Sequence, residues 1–268
     1  MVHSLSAANP QSGARPLHGV GVLVTRPARQ AGGFAQKLAA IGAVPVVFPA
    51  IVILPPADPA ALAAAHARLP ACDFAVFVSA NAVEYGVPDP RRWPPGLVAF
   101  APGPGTGEAL AAAGIPDVRI PVASFDSEGL LALPELTAVA GRRIVIFRGD
   151  GGRELLGDTL KERGASVDYV ACYRRAPPPA ADAGLADAFR ERRIDAVTVT
   201  SSEGLANLWA IADDAMRARW TSLPTFAPHP QIAARARALG LAAVETAGSD
   251  AGLLAGLLEW FATHPRPA

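Results

Sequence analysis

Lysine is almost absent: of 24 basic residues only Lys37 and Lys161 are lysines, and the rest are arginines. Acidic residues also number 24, so the formal net charge is +0. A chain with no basic excess does not bind nucleic acid or a membrane surface by bulk electrostatics. Cysteine occurs only as Cys72 and Cys172, outside any C-x-x-C pattern. With no secretion signal, two such thiols fit a reducing cytosol, and a cytoplasmic protein is expected. The histidines (His3, His18, His66, His229 and His264) are scattered without metal-ligand spacing, so no metal is expected. Tyrosine is limited to Tyr85, Tyr169 and Tyr173. No apolar run approaches the ~18 residues of a membrane span. There is no GK[ST] phosphate loop and no G-x-S-x-G elbow.

What is present is a core. Hydrophobic residues make up 51% and charged residues 18% of 268, enough for one large domain or two ordinary ones. Residues 1–17 are polar and rich in Ala, Ser and Pro, and read as a disordered tail. The remainder repeats itself. Val24-Thr25-Arg26-Pro27 lies over Ile146-Phe147-Arg148-Gly149 at an offset of 122. At the same offset Gly42–Val46 lies over Gly164–Asp168, and Asp73–Ser79 over Asp195–Ser201. The match then slips: Ala101–Pro104 meets Ala227–Pro230 at 126, and Gly129–Leu131 meets Gly252–Leu254 at 123. A duplicated unit of roughly 120 residues is expected.

Both copies use one grammar. Short β-branched runs are expected as strands at Val20–Thr25, Val44–Phe48, Phe74–Val78, Val98–Ala101 and Val118–Ile120. The second copy gives Arg143–Phe147, Val167–Ala171, Ala196–Thr200, Thr225–Ala227 and Ala243–Glu245. Helical spacing separates them, as in Phe34, Leu38 and Ile41, or Leu155, Thr159 and Leu160. Gly42, Gly114, Gly164 and Gly240 stand where helices should end. Strict alternation predicts an α/β protein of two flavodoxin-like, parallel-sheet domains. Proline-rich joints follow the second strand of each copy, at Pro49–Pro59 and Pro177–Pro179. They imply that the chain crosses between domains twice.

Parallel α/β sheets bind ligands beyond the carboxyl ends of their strands. The loops there are small, hydroxyl-bearing or glycine-rich, and most open a helix, whose free N–H groups receive anions. Several such ends would hold a polycarboxylate or polyphosphate without net positive charge. Taken singly, a Ser before a helix is first of all a cap worth about 1 kcal/mol. Gly103-Pro104-Gly105-Thr106-Gly107 lacks the spacing of a dinucleotide loop. Tyr173, in Cys172-Tyr173-Arg174-Arg175, reads as a half-buried packing residue or as a proton-donating phenol.

Taken together and in order, several of these segments resemble the uroporphyrinogen-III synthase family. They are Val24–Pro27, Ser79–Val83, Gly103 with Thr106, Asp126–Leu131, Arg148–Arg153, Tyr173–Arg175 and Thr200–Ser202. The resemblance runs from about Val20 to Phe261. It implies two flavodoxin-like domains joined by a two-stranded linker: residues 18–48 with 174–265, and residues 49–173. It implies closure of the linear tetrapyrrole hydroxymethylbilane to a ring, with inversion of ring D and loss of water, in haem and sirohaem biosynthesis. It implies no cofactor, a monomer, and a transient hand-over from hydroxymethylbilane synthase. Tyr173 is the implied acid for the departing hydroxyl.

Substrate contacts are expected from Ser79, Ala80, Asn81, Gly103, Thr106, Ser127, Gly149, Gly152, Ser201 and Ser202. Arg26, Arg148 and Arg153 are expected to meet carboxylates. Ser127 and Glu128 are expected to begin a helix with capping chemistry, while Glu128 itself repels the substrate. His229 stands where the family has glycine and Ile232 where it has a hydroxyl; His229 is a candidate carboxylate contact. A different class stays open on the same residues: a two-lobed, non-catalytic binding protein for an anionic small molecule. A nucleotide-using enzyme would need a phosphate fingerprint.

Overall fold

The computed structural model describes residues 15–180 and 183–265. Its strands are β1 (Gly21–Val24), β2 (Val44–Val47), β3 (Val52–Leu54), β4 (Phe74–Phe77), β5 (Val98–Phe100), β6 (Val118–Arg119), β7 (Arg143–Gly149), β8 (Ser166–Ala176), β9 (Ala196–Thr198), β10 (Pro224–Ala227) and β11 (Ala242–Glu245). Apart from β3, each coincides with an expected run. The chain forms two units, one from residues 1–52 with 177–268 and one from 53–176. The first holds the sheet β11-β10-β9-β1-β2, the second the sheet β3-β8-β7-β4-β5-β6. The ten strands other than β3 pair in parallel.

The first sheet, numbered within its unit, reads 2-1-3-4-5, the flavodoxin-like order. Setting β3 aside, the second has the same order, with β7 and β8 as its first two strands although they come last in the chain. The duplication thus accounts for the registers. Val22 pairs with Ala196; adding 122 to one and subtracting it from the other gives Ile144 with Phe74, which also pair. Gly21 with Val44 becomes Arg143 with Ser166. Thr225 with Val197 becomes Ala99 with Ala75, using 126 and 122. Each sheet therefore takes two strands from one copy and three from the other.

Side chains alternate between the two faces of each sheet, as the strand period requires. In β1, Leu23 packs with Val197, Leu205 and Trp220, while Val22 and Val24 pack with Phe34, Leu38 and Leu257. In β4, Ala75 and Phe77 join Phe147 and Cys172 on one face, and Val76 joins Ile146 and Leu156 on the other. Helices cover both faces, so the central strands β1, β4 and β9 are largely buried, while the edge strands β2 and β11 are partly exposed. The helices end as expected: Gly42, Gly114, Gly164 and Gly240 have φ of +91°, +79°, +87° and +79°, a region that favours glycine.

Four local expectations are corrected. Leu17, placed in the tail, is buried, and its N–H donates to Ile41 O; residues 1–14 lie outside the described residues. The helix Leu155–Glu162 buries Leu156 and Leu160 and exposes Leu155, which opens it. The cap of the helix Ser127–Leu131 is Asp126, whose Oδ1 accepts from Gly129 N at 2.8 Å, so Ser127 is the first helical residue and not the cap. The proline-rich joint Pro49–Pro59 contains β3, which adds to the edge of the second sheet beside β8.

Candidate active site

The order 2-1-3-4-5 leaves one switch point per sheet, between its strands 1 and 3, where flavodoxin-like folds bind ligands. In the first unit it lies between β1 and β9, so it is flanked by Thr25-Arg26-Pro27 and Thr200-Ser201-Ser202. In the second it lies between β7 and β4, flanked by Arg148–Arg153 and Ser79-Ala80-Asn81.

The second unit places Tyr173 there. A bulge in β8 pairs Arg148 with Ala171 but Gly149 with Tyr173, leaving Cys172 as the extra residue. That extra residue re-aims the next side chain. The phenol crosses Gly149, so closely that a Cβ on Gly149 would lie 2.9 Å from Cε2 and 3.2 Å from the hydroxyl. Tyr173 is 2% exposed, more deeply packed than a half-buried tyrosine, and its hydroxyl lies 3.3 Å from Ser79 Oγ. Ser79 also caps the helix Ala80–Gly86, accepting from Ala82 N at 3.1 Å. One lone pair of Ser79 is thus taken by the backbone, and its own proton is free to point at the phenol oxygen. In that arrangement the phenol O–H is left to donate elsewhere. Ala80 is exposed at the start of this helix and Asn81 half-buried beside it.

Gly149→Ala tests how finely the ring is placed. The added methyl must push the phenol, and a shift of about 1 Å at a reacting group costs up to ~10²-fold in rate. Turnover is expected to fall between ~10- and ~100-fold with the far-UV circular dichroism unchanged.

Cys172 is not a nucleophile. Its Sγ sits between Arg148 O at 3.3 Å and Ala82 O at 3.6 Å, and burial pushes the thiol from 9.0 up to about 12. Between those two values the unfolded chain loses the thiol proton while the native one keeps it. Stability therefore falls as pH rises from 9.0 toward about 12. Native protein is expected to leave Cys172 unalkylated by iodoacetamide at pH 8, and denaturant to expose it. Mass spectrometry of the labelled peptide reads this directly, and rapid native labelling would contradict it.

The expected arginines are already held by protein groups. Arg148 stacks on Tyr169 at 3.9 Å and pairs with Glu154 at 2.7 Å, which holds the Glu154 carboxyl below its ordinary range. Arg26, its equivalent at offset 122, lies over Phe34 at 4.6 Å and pairs with Asp250 at 2.5 Å. Asp250 is raised by burial, but Lys37 and Arg26 outweigh this and hold it low. Arg26 Nε and Arg148 Nη1 are buried without a hydrogen-bond partner, so each guanidinium keeps one nitrogen unspent. Arg153 is exposed and bidentate to Glu128 at 2.9 and 3.3 Å, which neutralises the carboxylate expected to repel a substrate. Gly152, with φ +144°, is exposed one residue before it.

Gly103 caps the helix Pro104–Ala112 through its backbone alone, and Thr106 is buried in the first turn. Phe125, absent from the sequence-derived set, lies against Gly103. In the first unit Ser201 repeats Ser79: its Oγ accepts from Gly204 N at 2.9 Å and opens the helix Ser202–Ile211. His229 uses Nδ1 to accept from Gln231 N at 3.2 Å, so that nitrogen serves as a helix cap. Ile232 is 7% exposed and packs in the core of the first unit. Nothing corresponds to Tyr173 here; its equivalent at offset 122 is Ile51.

Residues 33–253 match the family described as uroporphyrinogen-III synthase HemD. This chain belongs to the uroporphyrinogen-III synthase family. The uroporphyrinogen-III synthase of Salmonella typhimurium is 36% identical over 203 residues, 74% of this chain and 82% of that protein. That of Escherichia coli matches to the same extent. Two solved structures share the fold. A mutant uroporphyrinogen III synthase from Thermus thermophilus has a TM-score of 0.54 at 20% identity, over 91% of this chain and 99% of that one. The Helicobacter pylori protein has 0.54 at 12%, over 92% and 99%. Among the described residues of this uroporphyrinogen-III synthase family member there is no group of three or more His, Cys, Asp or Glu side chains placed to hold a metal ion. No helix among them is long and apolar enough to cross a membrane.

Proposed function

We propose that this member of the family closes hydroxymethylbilane to uroporphyrinogen III, and that Tyr173 supplies the proton for the departing hydroxyl. The supporting observation is the phenol held over Gly149 with Ser79 Oγ at 3.3 Å, at the switch point of its sheet. The electron pair that expels hydroxide comes from the substrate's own pyrrole, giving an azafulvene cation. The phenol proton leaves with the hydroxide as water. The substituted carbon of ring D then attacks the cationic methylene, forming a spiro intermediate. Its opening and reclosure place ring D in reverse, and loss of a proton restores the aromatic pyrrole. No protein nucleophile is required.

Closure to the symmetrical isomer needs no enzyme, so the protein must favour one geometry over an easy competitor. Backbone N–H groups and hydroxyls at Ser79, Asn81, Gly103, Thr106, Ser127, Ser201 and Ser202 suit a substrate with eight carboxylates. Because the bilane closes spontaneously, a direct hand-over from hydroxymethylbilane synthase to a cytoplasmic monomer is part of this reading.

The deciding experiment supplies freshly made hydroxymethylbilane, oxidises the product and separates the porphyrin isomers. Isomer III well above the spontaneous background is expected. Isomer I alone would leave a binding protein for an anionic small molecule.

A further inference from the structure

Anion donors fix the rim of a tetrapyrrole but not the tilt of its rings, and something planar or apolar must do so. Among the exposed large hydrophobic side chains of the described residues, Phe125 is the one aromatic, 60% accessible, with Val122 nearby at 95%. It follows β6, at the same carboxyl end of the sheet as Ser79, Gly103 and Gly149. Its neighbours are fixed. Ser124 Oγ donates to Asp126 at 2.7 Å, and Asp126 accepts from Gly129 N. Those two bonds hold the Asp126 carboxyl below its usual range, the backbone one foremost. Ser124 O lies so near Gly129 that a Cβ there would come within 1.9 Å.

The space under Phe125 is Gly103. A Cβ on Gly103 would meet the Phe125 Cβ at 3.1 Å and Cγ at 3.4 Å. Gly103 has φ −167°, extended backbone that any residue adopts, so room for the ring and not conformation calls for glycine. In the first unit the sizes are reversed. The equivalent of Gly103, at offset 126, is His229, and the equivalent of Phe125, at offset 123, is Gly248. His229 and Gly248 line one cavity of about 360 Å³ with Thr200 and Ile232.

Building on the function proposed above, we infer that the exposed ring of Phe125 packs on a pyrrole of the tetrapyrrole. Phe125 is thereby a positioning residue that sequence motifs do not reveal. The signal was nonetheless present, as the reciprocal exchange of glycine and ring between the two copies.

The test moves the ring. Phe125→Ala is expected to raise KM for hydroxymethylbilane about tenfold, the scale of losing one stacked ring, and to lower the share of isomer III because the tilt of the ring is no longer fixed. Phe125→Tyr keeps the wild-type KM, and neither shifts the melting temperature, because the ring is exposed. Gly103→His alone clashes with Phe125 and raises KM. Combined with Phe125→Gly it reproduces the first unit's arrangement and recovers most of what Phe125→Gly alone loses. A Phe125→Ala KM equal to wild type, or a double variant no better than Phe125→Gly, overturns the inference. If the wild-type protein forms only isomer I, the reaction assigned above fails separately. Fluorescence titration with uroporphyrin III then decides: weaker binding by Phe125→Ala upholds the ring contact, and equal binding ends it.

Discussion

Tyr173→Phe is expected to lower formation of isomer III by ~10²-fold or more, the range lost with a general acid. The product is expected to shift toward isomer I as unassisted closure takes over. The fold should survive. The ring still packs with Phe77 and Phe147 and still lies over Gly149, and Ser79 keeps its bond from Ala82 N. Losing a single hydroxyl–hydroxyl contact at 3.3 Å costs about 1 kcal/mol at most. Ser79→Ala is expected to cost a similar amount of stability as a lost cap. Its effect on turnover should not add to that of Tyr173→Phe, because both act through one proton. Isomer analysis over time, with thermal unfolding of each variant, checks all three. Unchanged turnover in Tyr173→Phe would take the phenol out of the reaction.

The largest effect on stability is expected at Gly21→Ala. A methyl there would lie 1.7 Å from Arg193 O and 2.7 Å from its carbonyl carbon, and backbone cannot swing aside. Overpacking of this kind costs roughly 3 kcal/mol. It strikes a sheet contact that Asp195 reinforces, accepting from Gly21 N at 2.8 Å. Peptides of β1, β2 and β9 should lose hydrogen-exchange protection, while those of β4 and β7 keep it. Gly32→Ala and Gly33→Ala are expected to have the opposite sign. Both lie inside the helix Ala28–Ala40 with nothing within 4 Å, so alanine gains about 0.5–1 kcal/mol by helix propensity. Equal protection in Gly21→Ala and wild type would contradict the crowding.

Strands were legible wherever β-branched residues ran between helix-ending glycines, as in Val44–Val47 or Val98–Phe100. The offset of 122 carried more than element types. It links the pairing of Val22 with Ala196 to that of Phe74 with Ile144, and the cap made by Ser79 to that made by Ser201. What it did not state was that strands exchange between copies, because a repeat reports similarity and not partnership. β3 was hidden by the prolines around it, whose local bias toward breaks was overridden by a free sheet edge. Ser127 was mistaken for a cap because Asp126 and Ser127 are both good cap residues, and only the extended backbone of Asp126 distinguishes them. The depth of Tyr173 depended on a bulge, which leaves no mark in residue spacing.

The exchange of strands between the copies also fixes an order of events at the ribosome. Residues 53–176 emerge as one continuous stretch and hold all their own strands. That unit can complete itself while the last third is still being made. β1 and β2 emerge first yet must wait, because β1 pairs with β9, whose residue Ala196 comes 174 positions after Val22. Closing so long a loop from an open chain is slow and entropically costly. The finished middle unit shortens it, since Tyr85 bonds Ile53 O and its ring lies 6.4 Å from that of Tyr173. The residues where the chain enters and leaves the middle unit are thus brought close together before the C-terminal strands arrive.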